Sequence, residues 1–167
     1  MPQRFGTNRF NEERTVIIKL LYLAHVLATV IWVGGMFFAH QCLRPVALAQ
    51  LDPPLRLKLW RGVFGRFFPW VWASLIALIA SGLALISLMG GMAHVPIHIH
   101  IMAGIGYLMA GIFITLYFRH YARLRKAVDA EDWPTAGVAL NRIRLMVGVN
   151  LSLGLANIVL VFLLPAL

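Results

Sequence analysis

The chain has 167 residues, 60% of them hydrophobic, only 13% charged, and a formal net charge of +9. Its mean hydropathy is +0.80. A soluble domain of this length has too little interior to hide that much apolar side chain, so the composition excludes a water-soluble globular protein and points to a membrane protein.

Four apolar stretches are long enough to cross a bilayer. They cover about residues 16–43, 69–89, 97–118 and 145–164. Their apolarity is continuous rather than alternating. Only helices and closed barrels satisfy backbone groups in lipid, and continuous apolarity selects helices. The expected fold is all-α: one domain over 1–167, an integral membrane four-helix bundle with short amphipathic interfacial helices. The N-terminal lead contains Glu12 and Glu13 and is followed by no small-x-small cleavage site, so the first span is expected to be retained. Cys42 is the only cysteine, which rules out an internal disulfide and leaves the redox compartment unread.

The basic residues are unevenly placed. Four lie in the N-terminal lead: Arg4, Arg9, Arg14 and Lys19. Five lie in the first connection (Arg44, Arg56, Lys58, Arg61, Arg66) and six in the third (Arg119, Arg123, Arg125, Lys126, Arg142, Arg144). The second connection and the C-terminus have none. With four spans, connections one and three share a side and carry eleven of the fifteen. The positive-inside rule then puts them in the cytoplasm and both termini in the periplasm of a bacterial inner membrane. Basic residues next to apolar spans serve as anchors to anionic headgroups, so the partner is the lipid bilayer rather than nucleic acid.

Two connections carry helix signals. Asp52 is an N-cap residue followed by Pro53 and Pro54, and the segment to Phe68 interleaves Arg and Lys with Leu, Trp and Phe, as an interface helix does. Asp132 to Arg144 repeats the device, with Pro134 in the first turn. The second connection, Gly90 to Pro96, is short and uncharged.

Six histidines bear the chemistry: His25, His40, His94, His98, His100 and His120. His25 is the most informative. It lies inside the first apolar run, six residues and roughly 9 Å past Lys19. An ionisable side chain at that depth is costly and turns inward by default. On a helical period it shares a face with Tyr22, Ala28, Thr29, Trp32, Gly35, Met36 and Ala39. His98 and His100 open the third span on the same side. Two imidazoles on facing helices are the axial ligands of a b-type haem, and aromatic and small residues would admit the macrocycle. His100 shares its face with Ala103, Gly104, Tyr107, Ala110 and Gly111, whereas His98 is about 200° away. This spacing favours His100 as the partner of His25, with His98 as the alternative. The same small residues also suit direct helix packing. His40 and His120, near the other ends of spans one and three, would suit a second haem; their plainer role is at headgroup level.

A second constellation competes. Met89, Met92, His94 and His98 lie in or beside the second connection, and thioether with imidazole ligands suits Cu(I). In span four, Asn150 and Asn157 share a face with Gly154, a pattern expected to bond across helices; Ser74 and Ser81 repeat that logic on span two. No span contains a carboxylate, and no nucleophile–base pair or phosphate loop is present.

Several motifs in order resemble one known family. Leu23-Ala-His-Val-Leu-Ala-Thr-Val-Ile-Trp-Val-Gly-Gly-Met-Phe-Phe38, Asp52-Pro-Pro-Leu-Arg-Leu-Lys-Leu-Trp60, Arg66-Phe-Phe-Pro-Trp-Val-Trp72 and His98-Ile-His-Ile-Met-Ala-Gly104 resemble the CopD-like, or copper resistance D, membrane proteins. The resemblance implies an inner-membrane protein tied to copper handling. The chain is also similar to HemJ-type membrane haem proteins, which carry a His in the first span and a His-x-Lys at the start of the third. Here His100 stands where the Lys would be, so that resemblance implies haem binding rather than HemJ catalysis. The expected function is a b-type haem protein of electron transfer or haem-linked oxidation. The alternatives are copper handling of the CopD type and a non-catalytic assembly subunit. A homodimer is a plausible assembly, and the residues do not specify a redox partner.

Overall fold

The computed structural model describes residues 4–163, with side chains from Asn11 onward. The side chains of Arg4 and Arg9 in the basic lead, the last residue of the fourth apolar stretch, and the sidedness expected of the termini lie outside what it describes. Among the described residues there are only helices and their connections. Four of these helices are long and apolar enough to cross a membrane. Span 1 is Asn11–Gln50, span 2 Pro53–Leu88, span 3 Ile97–Asp129 and span 4 Trp133–Leu163.

The helices run longer than the apolar stretches, because the expected interface segments are continuous with the spans rather than separate. Span 2 starts at Pro53 and passes through Pro69. A proline there removes one ladder bond, to the carbonyl of Gly65. Buried Phe64, Phe68 and Val71 on either side hold the axis in place. Asp52 is the N-cap as expected but makes no side-chain cap bond; Pro53 and Pro54 offer no amide hydrogens to receive one. Asp132 does cap its helix: the Thr135 amide donates to Oδ1 at 3.1 Å.

Spans 1 and 3 each contain a π-helical turn, Phe38–Leu43 and Leu116–Tyr121, holding His40 and His120 respectively. Such wide turns re-aim side chains within a helix and recur at functional sites. Span 2 ends in a Schellman cap. Gly90 takes φ 97°, a left-handed conformation that favours glycine. The Gly91 amide then bonds back to Ile86 O at 2.9 Å and the Gly90 amide to Ser87 O at 3.2 Å.

Span 1 packs mainly on span 2, and span 3 mainly on span 4. Spans 1 and 3 lie across a diagonal and meet through Trp32 and Phe113. The core is concentrated toward the basic end. There Phe68 packs on Phe64, Phe113, Tyr117 and Tyr121, with ring centroids 4.8–5.9 Å apart. Leu116, Leu124, Leu140 and Ile143 are fully buried beside them. Toward the far end, which carries the second connection, burial thins to Ser81 and Val95. No residue is buried in 11–27, 82–94, 97–108 or 155–163. The far end is therefore two helix pairs without a shared core.

Two measurements check this packing. A Cβ on Gly35 would overlap the Phe67 ring, whereas one on Gly34 meets nothing within 4 Å. Gly35→Ala should cost about 1–3 kcal/mol in a reversible unfolding assay. Gly34→Ala should be neutral or stabilising by up to about 1 kcal/mol. The second concerns pH. The Thr135 bonds hold the Asp132 carboxyl below its ordinary range. Its lowered folded-state value means the cap's stabilisation is complete at neutral pH and is lost as the pH falls through that value. Asp132→Ala should therefore destabilise the protein at pH 7 and make progressively less difference in acid.

Candidate functional site

Three of the four histidines of the far half, His25, His94 and His100, make a hydrogen bond through Nδ1. His25 Nδ1 lies 2.9 Å from Ser81 Oγ on span 2. Ser81 Oγ also lies 2.6 Å from the Ala77 carbonyl. A carbonyl cannot donate, so the single hydroxyl proton goes to Ala77. His25 Nδ1–H must then be the donor to Ser81, which leaves the Nε2 lone pair free. His94 Nδ1 donates to the Gly90 carbonyl at 2.9 Å, and His100 Nδ1 to the Pro96 carbonyl at 3.3 Å. Both again expose Nε2. Fixing one ring nitrogen to orient the other is how proteins prepare imidazole as a metal ligand.

Local sequence explains these bonds. The left-handed Gly90 turns its carbonyl toward the following short helix, Met92–His94, where the His94 ring meets it. Pro96 starts span 3, and its carbonyl is exposed in the first turn where His100 reaches back. On span 1, His25 lies over Gly82, whose Cβ would be 3.5 Å from the imidazole.

The structure sorts the expected site residues. The His25 face of span 1 does turn inward, and Ala28, Trp32, Met36 and Ala39 are all buried. Tyr22 is the exception, at 52% exposed. Span 3 is rotated relative to expectation. Its buried residues are Met109, Ala110, Phe113 and Leu116. His98 is in phase with Met102, Ile105, Met109 and Phe113; His100 is not. Gly104 is exposed, and Tyr107 is 54% exposed. His98 and His100 are both half-buried, and on the His100 face Ala110 is buried while Gly104, Tyr107 and Gly111 are exposed. Span 3 is apolar almost all round, so the sequence contains no polar face to set its rotation.

The residues expected to line a haem therefore do not enclose one space. Trp32 packs edge-on against Phe113 at 6.1 Å. Gly35 is covered by Phe67. Gly104 and Tyr107 are on the outside of the bundle. The interior cavity, lined by Trp32, Met36, Phe64, Phe68, Phe113 and Asn150 among others, measures about 20 Å³. That is room for about one water, and it lies in the aromatic core of the basic half rather than beside His25 and His100.

Copper donors are available at the far end. Met89 and Met92 are 47% and 46% exposed, His94 is exposed, and His98 is half-buried. Among the described residues, no three His, Cys, Asp or Glu side chains gather into a closed metal site.

The amide prediction holds. Asn150 Nδ2 donates to Met109 O, and Asn157 Nδ2 to Met102 O, both at 3.3 Å, stitching span 4 to span 3. What the sequence reading missed is the pairing of Ser81 with His25. Both residues had been noticed singly, and only their equal depth from the far end links them.

A family model described as Copper resistance protein D matches residues 61–164. The chain belongs to the copper resistance protein D family. The match covers most of span 2 and all of spans 3 and 4, including Ser81, Met89, Met92, His94 and His98. His25 lies before it, on a copper resistance protein D chain whose first span contacts the matched region through the His25–Ser81 bond. No curated protein and no solved structure gives a match.

The tautomer assignment is directly measurable. Nitrogen-15 spectra of labelled imidazoles should show His25 protonated at Nδ1. In Ser81→Ala the fixed acceptor is gone, and a mixed or Nε2-protonated signal should appear. An unchanged spectrum would mean another group orients the ring.

Proposed function

We propose that this copper resistance protein D family member takes up copper ions at its far end, as cargo rather than as a resident cofactor. Met89, Met92, His94 and His98 make the entry set, and His25 is the deeper ligand. The supporting observation is the locked Nε2-free tautomer of His25 and His94. Imidazoles so fixed are ready to bind without a proton rearrangement. Thioethers favour Cu(I), and an open set of few ligands allows release as well as capture.

In this reading the far end faces the periplasm and the basic end the cytoplasm, because connections one and three hold most of the Lys and Arg. The Arg14 side chain, bonded to Leu88 O at 2.8 Å, closes the end of span 2 on the copper-receiving side. Copper replaces haem in the account. The packing provides donors of copper's type, and the residues expected around a haem are filled or turned away.

Titration of purified protein with Cu(I) against a chromophoric chelator tests the reading. Met92→Ala and His94→Ala should each weaken binding by about tenfold or more, and Ser81→Ala, which only orients His25, by about tenfold. Wild-type affinity in all three variants would remove the site. The same preparations should lack a Soret band and a dithionite-induced α band. A red protein whose colour is lost in His25→Ala would restore haem in place of copper.

A further inference from the structure

The basic end contains a second arrangement that copper handling does not use. His40, on the π-helical turn of span 1, reaches across to span 4, where a Cβ on Gly148 would lie 3.3 Å from its Nε2. Arg144 is one turn before Gly148 on the same face. Its Nη1 donates weakly to Asn141 Oδ1 at 3.4 Å. Its Nε and Nη2 are buried and have no partner, and so is His40 Nδ1. Arg44, one turn beyond His40, acts electrostatically on both His40 and Arg144, and Arg56 acts on Arg144. Arg44 thus lies near both His40 and Arg144, and Arg56 near Arg144.

No carboxylate answers them. Among the described residues, the ion pairs are Lys58–Glu131 and Arg61–Asp129, which join spans 2 and 3 elsewhere. A buried guanidinium edge without a protein partner is costly, and neighbouring like charges add to the cost. The unmet atoms are not random. Nε and Nη2 form the side-on edge of the guanidinium, whose two parallel N–H groups match two oxygens on one centre. With His40 Nδ1 as a third point and Arg44 and Arg56 nearby, the arrangement calls for an anion with at least three oxygens.

We infer that the groove between spans 1 and 4 at the basic end binds a phosphate group, held by the Nε–Nη2 edge of Arg144 and by His40. Arg44 and Arg56 balance its charge. Two sources supply that chemistry: the phosphodiester of an anionic lipid, which lies at this depth beside membrane-spanning helices, and soluble phosphate. The site is separate from the far-end copper ligands and is independent of the copper reading.

Thermal unfolding of the full chain in mild detergent tests it with three probes: dioleoylphosphatidylglycerol, dioleoylglycerol, which lacks the phosphate, and inorganic phosphate. Phosphatidylglycerol well above its Kd should raise the wild-type Tm by about 5 °C, and dioleoylglycerol should not. The shift should vanish in Arg144→Gln and shrink in His40→Leu, and should persist in Lys126→Gln, which alters an exposed cation elsewhere. If Arg144→Gln does not fold, His40→Leu and native mass spectrometry of retained lipid carry the test. A shift with inorganic phosphate that Arg144→Gln abolishes supports the site and makes its ligand soluble. A shift that survives in both variants, or no shift with either phosphate probe, overturns it.

Discussion

The aromatic packing around Phe68 is the interaction on which the rest depends. Lipid gives helices no hydrophobic reason to associate, so side-chain fit must hold the bundle together. Here that fit is concentrated at one end. Phe64 stacks on Phe68 with centroids 5.1 Å apart, Tyr121 meets Phe68 edge-on, and Phe113 bridges to Trp32 and Trp72. All four spans contribute once Leu140 and Ile143 of span 4 are added. With one end clamped, the other can stay open, and that open end contains the exposed thioethers and the Nε2-free imidazoles.

The polar groups inside the spans follow the same division. Where helices must be held together, polar side chains are spent on backbone carbonyls, as Asn150 and Asn157 are on Met109 and Met102. At the proposed binding positions, one side of a polar group is tied down and the other left free. His25 is bound through Nδ1 to Ser81, and His94 through Nδ1 to Gly90. Arg144 is similar at the opposite end, with Nη1 on Asn141 and its side-on edge unmet. Half-satisfied groups are expensive in a low-dielectric interior, and the packing amides share that state through Asn150 Oδ1 and Asn157 Oδ1, so an unmet atom supports a binding reading only where other donors or charges gather beside it.

Much of the fold was legible in the sequence because lipid imposes a simple rule. Continuous apolar runs located four helices, and the Lys and Arg count separated the two ends. Asn150, Gly154 and Asn157 announced a helix–helix seam by their spacing. His25 was placed inward by its cost alone. Three things were not legible. The rotation of span 3 was hidden, because Ile97–Thr115 is apolar on every side and offers no period to read. The continuity of span 2 through Pro69 was hidden, because proline and a run of Arg and Lys both suggest a break, and only tertiary packing by Phe64 and Phe68 overrides them. The pairing of His25 with Ser81 was hidden, because it joins residues 56 apart in sequence.

The central claim is that the far end holds copper by thioether sulfur and imidazole nitrogen. X-ray absorption at the copper edge, on purified protein loaded with one equivalent of Cu(I), tests it most directly. The account predicts a low-coordinate shell of mixed sulfur and nitrogen scatterers, losing sulfur in Met92→Ala and nitrogen in His94→Ala. A shell of nitrogen and oxygen alone, or a protein that retains no copper, would contradict it.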